Sequence, residues 1–211
     1  MSNDSLKSTE ELAAEVFGKI TRTAGSGPDG PDLGEVESRR LEGETNIPIR
    51  HSRAVLKEEG PWLHTLNAIS ERRGRGFLMA LVSSRGNGKT QIGVELIKRS
   101  KHGYYCTATE FFLAVKEAYK ADSKLSEGDV VKRFRKPQLL VIDEVAKRKE
   151  SEWEFQLLFE LINKRYGDMT DTLLISNQSP LVFRDVIGPS LASRMKETGG
   201  IVECNWESFR V

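Results

Sequence analysis

Residues 77–97 read FLMALVSSRGNGKTQIGVELI, and this stretch decides the fold of the chain. It opens with six apolar residues, a run that is typical of a β-strand buried on both faces. A polar turn with two glycines follows. Ile92 and Leu96 then recur at the spacing of one helix face, with Ile97 beside them. The stretch therefore predicts a strand, a loop and a helix in that order.

This order of elements is the context that a phosphate-binding P-loop requires. Gly86 and Gly88 allow a sharp turn that points backbone N–H groups at an anion, and the following helix N-terminus adds partial positive charge. We expect Lys89 to reach the β- and γ-phosphates of ATP and the Thr90 hydroxyl to ligate Mg²⁺. Ser83 occupies the first glycine position of G-x-x-x-x-G-K-[ST], which a serine can do if its φ is negative. The expected nucleotide contacts are Ser84, Arg85, Gly86, Asn87, Gly88, Lys89, Thr90 and Gln91.

A second apolar run, at residues 137–144, delivers two adjacent carboxylates at the carboxyl end of a predicted strand, where ligands bind in α/β sheets. We expect Asp143 to hold Mg²⁺ and Glu144 to polarise the water that attacks the γ-phosphate. Asn177 ends a strand that we expect beside the Asp143 strand, and its amide could orient the same water. Each motif has an alternative interpretation. The P-loop could be an ordinary glycine-rich turn followed by a surface lysine, and Asp143 and Glu144 could be solvated carboxylates at a strand end. Asn177 could be a turn residue.

Composition limits the possible partners only weakly. The chain has 211 residues, with 32 Lys and Arg against 31 Asp and Glu, so its net charge predicts no particular ligand. Cys106 and Cys204 lack the spacing of a metal site, which favours core thiols in a reducing compartment. The sequence has no apolar run of membrane-spanning length and no signal-peptide pattern, so we expect a cytoplasmic protein.

The beginning of the chain predicts a short amphipathic helix on a flexible tether. Ser8 and Glu11 fit a capping box, and Leu12, Val16 and Ile20 then recur at helical spacing, with Ala13 and Phe17 adjacent. Residues 24–35 read AGSGPDGPDLGE, a composition typical of a flexible linker. The helix over residues 8–23 either docks on the main domain or offers its apolar stripe to another protein, and we favour the second.

Strands and helices alternate through the rest of the chain. An extended segment over residues 46–51 and a helix over 62–69 precede the P-loop strand, and further strands are expected at 104–107, 139–142, 172–176 and 201–204. Predicted helices lie between them, two of them opened by capping boxes at Thr107 and Ser151. This alternation predicts an α/β fold with a parallel sheet in a three-layer α/β/α arrangement.

Several segments resemble, in the same order, bacterial replicative-helicase loaders of the DnaC/DnaI type, which are AAA+ ATPases. They are IPIRH at 47–51, the P-loop, LVIDE at 140–144, ESEWE at 150–154, LISN at 174–177, IGPSLASRM at 187–195 and WESFR at 206–210. The resemblance covers about residues 45–211 and implies an AAA+ ATPase domain there without a sizeable C-terminal lid. Residues 1–44 are left as a partner-binding helix and its linker.

The resemblance also assigns roles to single residues. Asn177 corresponds to sensor 1, Arg194 to an arginine finger that acts on a neighbouring subunit, and Arg210 to sensor 2. With Glu144 these are the expected catalytic residues. The chain departs from the family at Ser83, at the pair Pro189-Ser190 where Glu-Arg is usual, and in its much shorter N-terminal region, with no Cys/His cluster for a zinc-bearing N-terminal domain.

The resemblance implies a hexameric replicative helicase, single-stranded DNA and an ATP-dependent open oligomer as partners. Ser151 and Trp153 fall on DNA-contacting positions of the family, and an aromatic ring beside the basic run at 147–149 offers stacking together with phosphate neutralisation. The candidate DNA contacts are Ser151, Trp153, Lys147, Arg148, Tyr119 and Lys120. A core anchor at the helix start is the alternative interpretation of Trp153.

Other functions remain compatible with the same residues. A transposition-helper ATPase of the IstB type would share the core but bind duplex DNA and a transposase. A nucleotide-gated adaptor would bind ATP and hydrolyse little of it. A metabolite kinase is a third class, although the sequence shows no segment that resembles an acceptor-substrate pocket.

Overall fold

The computed structural model describes residues 45–54, 59–147 and 151–209. The amphipathic helix predicted at residues 8–23, its linker, Arg148 and Arg210 lie outside the described residues. The strands are β1 Leu78–Val82, β2 Gly103–Thr107, β3 Leu139–Asp143, β4 Asp171–Ser176 and β5 Gly200–Glu203. The helices are α1 Ile49–Ser52, α2 Pro61–Ser70, α3 Lys89–Lys98, α4 Ala108–Ala118, α5 Glu127–Arg135, α6 Glu152–Gly167 and α7 Pro180–Thr198.

The strands form one parallel sheet in the order β2-β3-β4-β1-β5, which confirms the predicted fold class. Since all strands run in the same direction, the loops that follow them meet at one edge of the sheet. The P-loop strand β1 lies between β4 and β5, and the β3 strand that ends in Asp143 lies beside β4. The expectation that the Asn177 strand neighbours the Asp143 strand is therefore also confirmed.

Two apolar cores, one on each face of the sheet, account for the three layers. Leu78, Ala80 and Val82 of β1 pack with α4, α5, α6 and α7 on one face. Met79 and Leu81, which alternate with them, pack with α2 and α3 on the other face. Because side chains of a strand alternate between faces, a fully apolar strand such as β1 can be buried only in this three-layer arrangement.

Capping boxes fix the starts of three helices. Thr107 and Glu110 open α4, Ser126 and Asp129 open α5, and in each case the side chains bond reciprocally to the backbone. The predicted boxes at Thr107 and Ser151 are thus both confirmed. Cys106 and Cys204 are buried free thiols, as expected from their spacing. Among the helices of the described ranges, none has the length and apolarity needed to cross a membrane.

One stretch differs from the sequence-based expectation. Residues 49–52 form the helical turn α1 rather than an extended segment, because Pro48 caps a turn whose His51 and Ser52 N–H groups bond to the Pro48 carbonyl. The last helix is interrupted inside α7, where Gly188 takes φ 74° and Pro189 follows it. Proline cannot continue the hydrogen-bond ladder, so the helix changes direction at this point.

A buried polar cluster at the amino-terminal edge of the sheet fixes β4 against the entry to β1. The Asp171 carboxylate accepts hydrogen bonds from the N–H groups of Gly74, Gly76 and Phe77 at 2.6, 2.9 and 3.2 Å. The guanidinium of Arg165, which is fully buried, donates to the Thr172 hydroxyl and to main-chain carbonyls around it. Burial lowers the pKa of Arg165 to about 10, although the nearby Asp171 charge acts to raise it.

Candidate nucleotide-binding site

The P-loop, residues 83–90, joins the carboxyl end of β1 to the start of α3. Gly86 and Gly88 have φ values of 98° and 73°, in the region that glycine occupies without strain, and Gly88 is the N-cap of α3. The described residues other than glycine with positive φ are Asn46, Glu144, Ala146 and Met169. Ser83 is not among them, so a serine fits the first position of the motif.

Lys89 lies over this loop. Its Nζ donates to the Ser84 carbonyl at 2.7 Å and is 3.2 Å from both the carbonyl and the hydroxyl oxygen of Ser83. The side chain is 4% exposed, which places the ammonium group inside the loop. Ser84 and Arg85, at the tip of the loop, are exposed.

Asp143, at the end of β3, meets Thr90 from the P-loop helix. The Thr90 hydroxyl donates to Oδ2 of Asp143 at 2.7 Å, and the Glu144 N–H donates to Oδ1 at 2.6 Å. Asp143 is 4% exposed, so its carboxylate is held almost out of solvent. A hydroxyl and a carboxylate are oxygen donors of the kind that Mg²⁺ prefers, so these two residues fit the predicted metal site.

Tyr105 is a site residue that the sequence did not single out. Its hydroxyl donates to Oδ2 of Asp143 at 3.0 Å, and the ring is 5% exposed. In the β2–β3 register Thr107 lies opposite Asp143, so Tyr105, two positions earlier, is on the same face and within reach. Burial, and secondarily the neighbouring Asp143 charge, raises the pKa of Tyr105 well above its ordinary value. The phenol therefore stays protonated and donates to the carboxylate.

Glu144 and Asn177 reach the same edge of the sheet from neighbouring strands. Glu144 has φ 58°, and Nζ of Lys147 lies 2.9 Å from each of its carboxylate oxygens. The loop after β3 is fixed to β4, because the Val145 N–H donates to the Ile175 carbonyl at 2.9 Å and the Ser176 hydroxyl donates to the Val145 carbonyl at 2.6 Å. Asn177 follows directly and is half-buried. The structure thus brings the two candidate catalytic groups to the edge where the P-loop lies.

Residues 63–211 match the family model of the IstB-like ATP binding protein. The chain belongs to this family. It is also similar to the replicative helicase loader DnaC of Escherichia coli, with 25% identity over 130 residues that cover 59% of this chain and 53% of the relative. The corresponding protein of Buchnera aphidicola subsp. Schizaphis graminum is 23% identical over 173 residues, which cover 78% of this chain and 68% of that protein. The chain spans about half the length of the E. coli relative.

Solved structures show the same fold. The crystal structure of the DnaC helicase loader superposes with a TM-score of 0.63 at 18% identity and covers 74% of this chain and 99% of that one. The DnaI crystal structure gives 0.57 at 15% identity, with 75% and 95% covered. The replication initiator DnaA bound to AMPPCP and single-stranded DNA gives 0.60 at 20% identity, with 77% and 52% covered. Together with the sequence similarity to DnaC, this shared fold confirms the resemblance to proteins of the DnaC/DnaI type.

In this IstB-like chain the Gln91 side chain does not face the phosphate side of the P-loop. Its Nε2 donates to the His51 carbonyl at 3.1 Å and to Glu95 at 3.0 Å, and its Oε1 lies 3.0 Å from Nδ1 of His51. Lys98 extends the network to the Ser52 carbonyl at 3.1 Å. The side chain of Gln91 therefore fixes α1 on α3, and only its main chain remains a candidate for nucleotide contact.

Residues 204–209, which we call the post-β5 segment, lie against the P-loop. The Trp206 indole donates to the Asn87 carbonyl at 2.8 Å, and the Phe209 N–H donates to the Gly86 carbonyl at 3.0 Å. The sequence marked this segment only through its family resemblance, since no local pattern shows which loop it contacts. Arg210, the sensor 2 candidate, directly follows it but lies outside the described residues.

Arg194 of the IstB-like domain lies in the second part of α7. Its guanidinium donates to Asn163 and to the Ser190 hydroxyl and lies 5.4 Å from the ring centre of Tyr166. One turn further on, the Thr198 hydroxyl donates to the Arg194 carbonyl and accepts the N–H of Leu78 at the amino-terminal end of β1. Arg194 is therefore close to the edge of the sheet opposite the P-loop of its own chain.

Two of the candidate DNA contacts form an aromatic pair, and the other described ones take part in a helix cap or in ion pairs. Tyr119 and Trp153 come together with ring centres 6.2 Å apart, and Nζ of Lys116 lies 5.3 Å from the Trp153 ring. Trp153 is also partly buried against the core, which fits the anchor interpretation, and its contact with DNA stays a prediction. Ser151 caps α6, Lys120 pairs with Glu117, and Lys147 pairs with Glu144.

Proposed function

We propose that this chain is an ATP-hydrolysing loader of a hexameric replicative helicase that acts on single-stranded DNA in the cytoplasm. The observation that carries the ATPase part is the meeting of Thr90 and Asp143 at 2.7 Å beside the P-loop lysine. The family's description as ATP-binding supports the nucleotide. The similarity of the chain to the replicative helicase loader DnaC supports the helicase as partner.

In the proposed reaction the P-loop N–H groups and the Lys89 ammonium bind the β- and γ-phosphates. Thr90 and Asp143 would hold Mg²⁺, which neutralises charge on the phosphate oxygens. Glu144 orients the attacking water and accepts its proton, and Asn177 fixes the water from the neighbouring strand. Because Glu144 is paired with Lys147, its carboxylate must turn away from that lysine to act as the base.

Charge that develops on the γ-phosphate is stabilised by arginines. Arg194 lies toward the sheet edge opposite its own P-loop, which supports a role on the nucleotide of a neighbouring copy in an ATP-dependent open oligomer. Arg210 is proposed as a second arginine that stabilises this charge, because the family resemblance assigns it to sensor 2.

Two substitutions test the ATPase reaction. Lys89→Ala should abolish ATP binding, whereas Glu144→Gln should retain binding and stop hydrolysis. Lys98→Ala, at the other end of α3, is the matched control and should retain both. Binding is measured by calorimetry and turnover by phosphate release. Normal turnover in both site variants would refute the enzymatic function, and binding without turnover in the wild-type protein would identify the nucleotide-gated adaptor instead.

A second candidate, the IstB-like transposition helper acting on duplex DNA, is favoured by the family match. The aromatic pair of Tyr119 and Trp153 with Lys116 supports single strands, because only unpaired bases offer faces for stacking. Fluorescence anisotropy with matched single-stranded and duplex oligonucleotides separates the two functions. Preferential binding of the duplex in the presence of ATP would favour the transposition helper.

We further propose that the amphipathic helix predicted at residues 8–23 binds the helicase. Burial of its apolar stripe against a helicase subunit could contribute about 1.5–3 kcal/mol per large side chain before ordering costs. Deletion of residues 1–24 should spare ATP binding and remove helicase binding in co-elution experiments, as should Leu12→Asp combined with Phe17→Asp. Wild-type co-elution of the shortened protein would exclude the helix as the binding element. A large loss of thermal stability would instead assign it to the core.

A further inference from the structure

The post-β5 segment holds three consecutive carbonyl groups of the P-loop together with α2. Phe209 N–H donates to the Gly86 carbonyl at 3.0 Å, the Trp206 indole to the Asn87 carbonyl at 2.8 Å, and the Trp62 indole to the Gly88 carbonyl at 3.0 Å. Both indoles in this part of the fold thus bond to the loop.

The fit leaves no space for a side chain at Gly88. A Cβ built there would lie 2.8 Å from a ring carbon of Phe209 and 2.8 Å from Nε1 of Trp62. These distances are well below normal van der Waals contact, so the two aromatic side chains enclose the backbone of the loop from outside.

Holding the carbonyls also orients the amide groups. A trans peptide unit is planar, and its C=O and N–H point in opposite directions. Fixing the carbonyls of Gly86, Asn87 and Gly88 toward the aromatic side chains therefore turns the N–H groups of residues 87, 88 and 89 the other way. These are the groups that a P-loop presents to phosphate oxygens.

Trp206 and Asn87 form a reciprocal pair that extends toward Lys89. The Asn87 side-chain amide donates to the Trp206 carbonyl, while the Trp206 indole donates to the Asn87 carbonyl. The Ser83 hydroxyl donates to Oδ1 of Asn87 at 3.1 Å. The same Ser83 hydroxyl oxygen lies 3.2 Å from Nζ of Lys89. A continuous series of hydrogen-bonding contacts thus joins the post-β5 segment to the ammonium group.

We propose that Trp206 is a positioning residue of the nucleotide site, and this rests on the proposed ATP-binding function. Its indole and carbonyl fix Asn87 and thereby orient the P-loop N–H groups and Lys89 toward the phosphates. A phosphate that engages Lys89 competes with Ser83 for the same ammonium hydrogens. The change passes through Ser83 and Asn87 to Trp206, so the post-β5 segment responds to the nucleotide.

The first test measures the affinity for AMPPCP with Mg²⁺ by calorimetry. Trp206→Phe removes only the indole donor and should bind AMPPCP about threefold to tenfold more weakly, the effect of one hydrogen bond. Asn87→Ala removes both the bond to the Trp206 carbonyl and the contact with Ser83, so it should weaken binding at least as much. Tyr166→Phe is the control. It removes an aromatic hydroxyl near the end of α6 that bonds to Glu197 of α7, and it should bind AMPPCP as the wild type does.

The second test uses fluorescence, which a purely structural role would leave unchanged. Trp62→Phe combined with Trp153→Phe leaves Trp206 as the only one of the chain's three tryptophans. AMPPCP with Mg²⁺ should shift its emission, whereas adenosine, which carries no phosphates, should not.

The outcomes separate this inference from the proposed function. If the wild-type protein binds AMPPCP and Trp206→Phe binds it equally well, the positioning role is refuted and the ATPase function stands. If the wild-type protein does not bind AMPPCP at all, both are refuted. Should Trp206→Phe fail to fold, Asn87→Ala decides the question because it keeps the indole in place. Unchanged emission at saturating AMPPCP would refute the coupling to nucleotide.

Discussion

The Tyr105 hydroxyl donates to Oδ2 of Asp143 at 3.0 Å, and this oxygen also accepts the Thr90 hydroxyl at 2.7 Å. Oδ1 of the same carboxylate accepts the Glu144 N–H. The two oxygens are thus distinguished by their donors, and the carboxylate cannot rotate without breaking several bonds. Tyr105 therefore helps to hold the Asp143 carboxylate in a fixed orientation beside Thr90.

Tyr105→Phe should lower the Mg²⁺ dependence of nucleotide affinity, because the carboxylate of Asp143 loses the donor that orients it. The expected loss of AMPPCP affinity is about threefold to tenfold in the presence of Mg²⁺. It should disappear when Mg²⁺ is replaced by a chelator. Tyr104→Phe, which removes the neighbouring hydroxyl on the opposite face of β2, is the control. Identical Mg²⁺ titrations of Tyr105→Phe and wild type would contradict the assignment.

The same tyrosine predicts how stability depends on pH. Its pKa is raised in the folded protein, so the unfolded chain loses this proton first as the pH increases. The hydroxyl's contribution to the unfolding free energy should be fully present below about pH 10 and should decline above it. Urea denaturation of wild type and Tyr105→Phe at several pH values measures the difference, which should be constant below that pH and shrink above it. A difference that grows with pH would have the wrong sign.

The P-loop and the Asp-Glu strand could be predicted because each is a local pattern. The apolar run before Ser83 and the glycines after it need only neighbouring residues to be recognised. Tyr105 could not be found in this way, since its place beside Asp143 depends on the register of β2 against β3. A tyrosine in a predicted strand is ordinarily a packing residue, and no spacing distinguishes the one that meets a carboxylate.

Arg194→Ala should leave ATP binding by single chains intact and abolish hydrolysis and ATP-dependent oligomers. The reason is its place on α7, toward the sheet edge opposite its own P-loop. Mixing Arg194→Ala with Lys89→Ala protein should restore part of the turnover, because each copy supplies what the other lacks. Arg184→Ala, on the first part of α7, serves as the control. Full hydrolysis by Arg194→Ala alone would refute the role.

Trp153→Leu should weaken the binding of single-stranded DNA about tenfold or more, since stacking on an aromatic ring contributes about 1–3 kcal/mol per base. Phe155→Leu, which loses a ring stacked on Phe159 in the same helix, is the matched control for lost aromatic packing. Anisotropy with a labelled oligonucleotide measures both. Equal losses in the two variants would indicate that Trp153 is only a core anchor.

Arg165→Met should destabilise the fold by about 3 kcal/mol or more, because it leaves several buried carbonyl groups without their donor. Arg135→Met removes a nearby arginine that is exposed and pairs with Asp168 on the surface, and it should change stability little. Chemical denaturation of both variants compares the free energies of unfolding. Similar values for the two would show that the buried guanidinium contributes no more than a surface charge.

Sequence patterns did not predict the side-chain contacts that join segments far apart in the chain. Gln91 directly follows the P-loop motif and is an expected nucleotide contact, but its side chain bonds to His51, which lies 40 positions earlier. Trp206 reaches Asn87 across 119 positions. Local periodicity places such residues on an element but gives no direction for the side chain, which is set by the packing of the other segments.

The hydrogen bonds between Tyr105 and residues 45–46 limit how far the protein can be shortened. Tyr105 N–H donates to the Thr45 carbonyl and Asn46 Nδ2 donates to the Tyr105 carbonyl, each at 3.0 Å, along the outer side of β2. A truncated protein that starts after Asn46 would present this edge of the sheet unpaired. Open sheet edges pair with those of other molecules, so such a protein should aggregate at concentrations where one that starts before Thr45 stays dispersed.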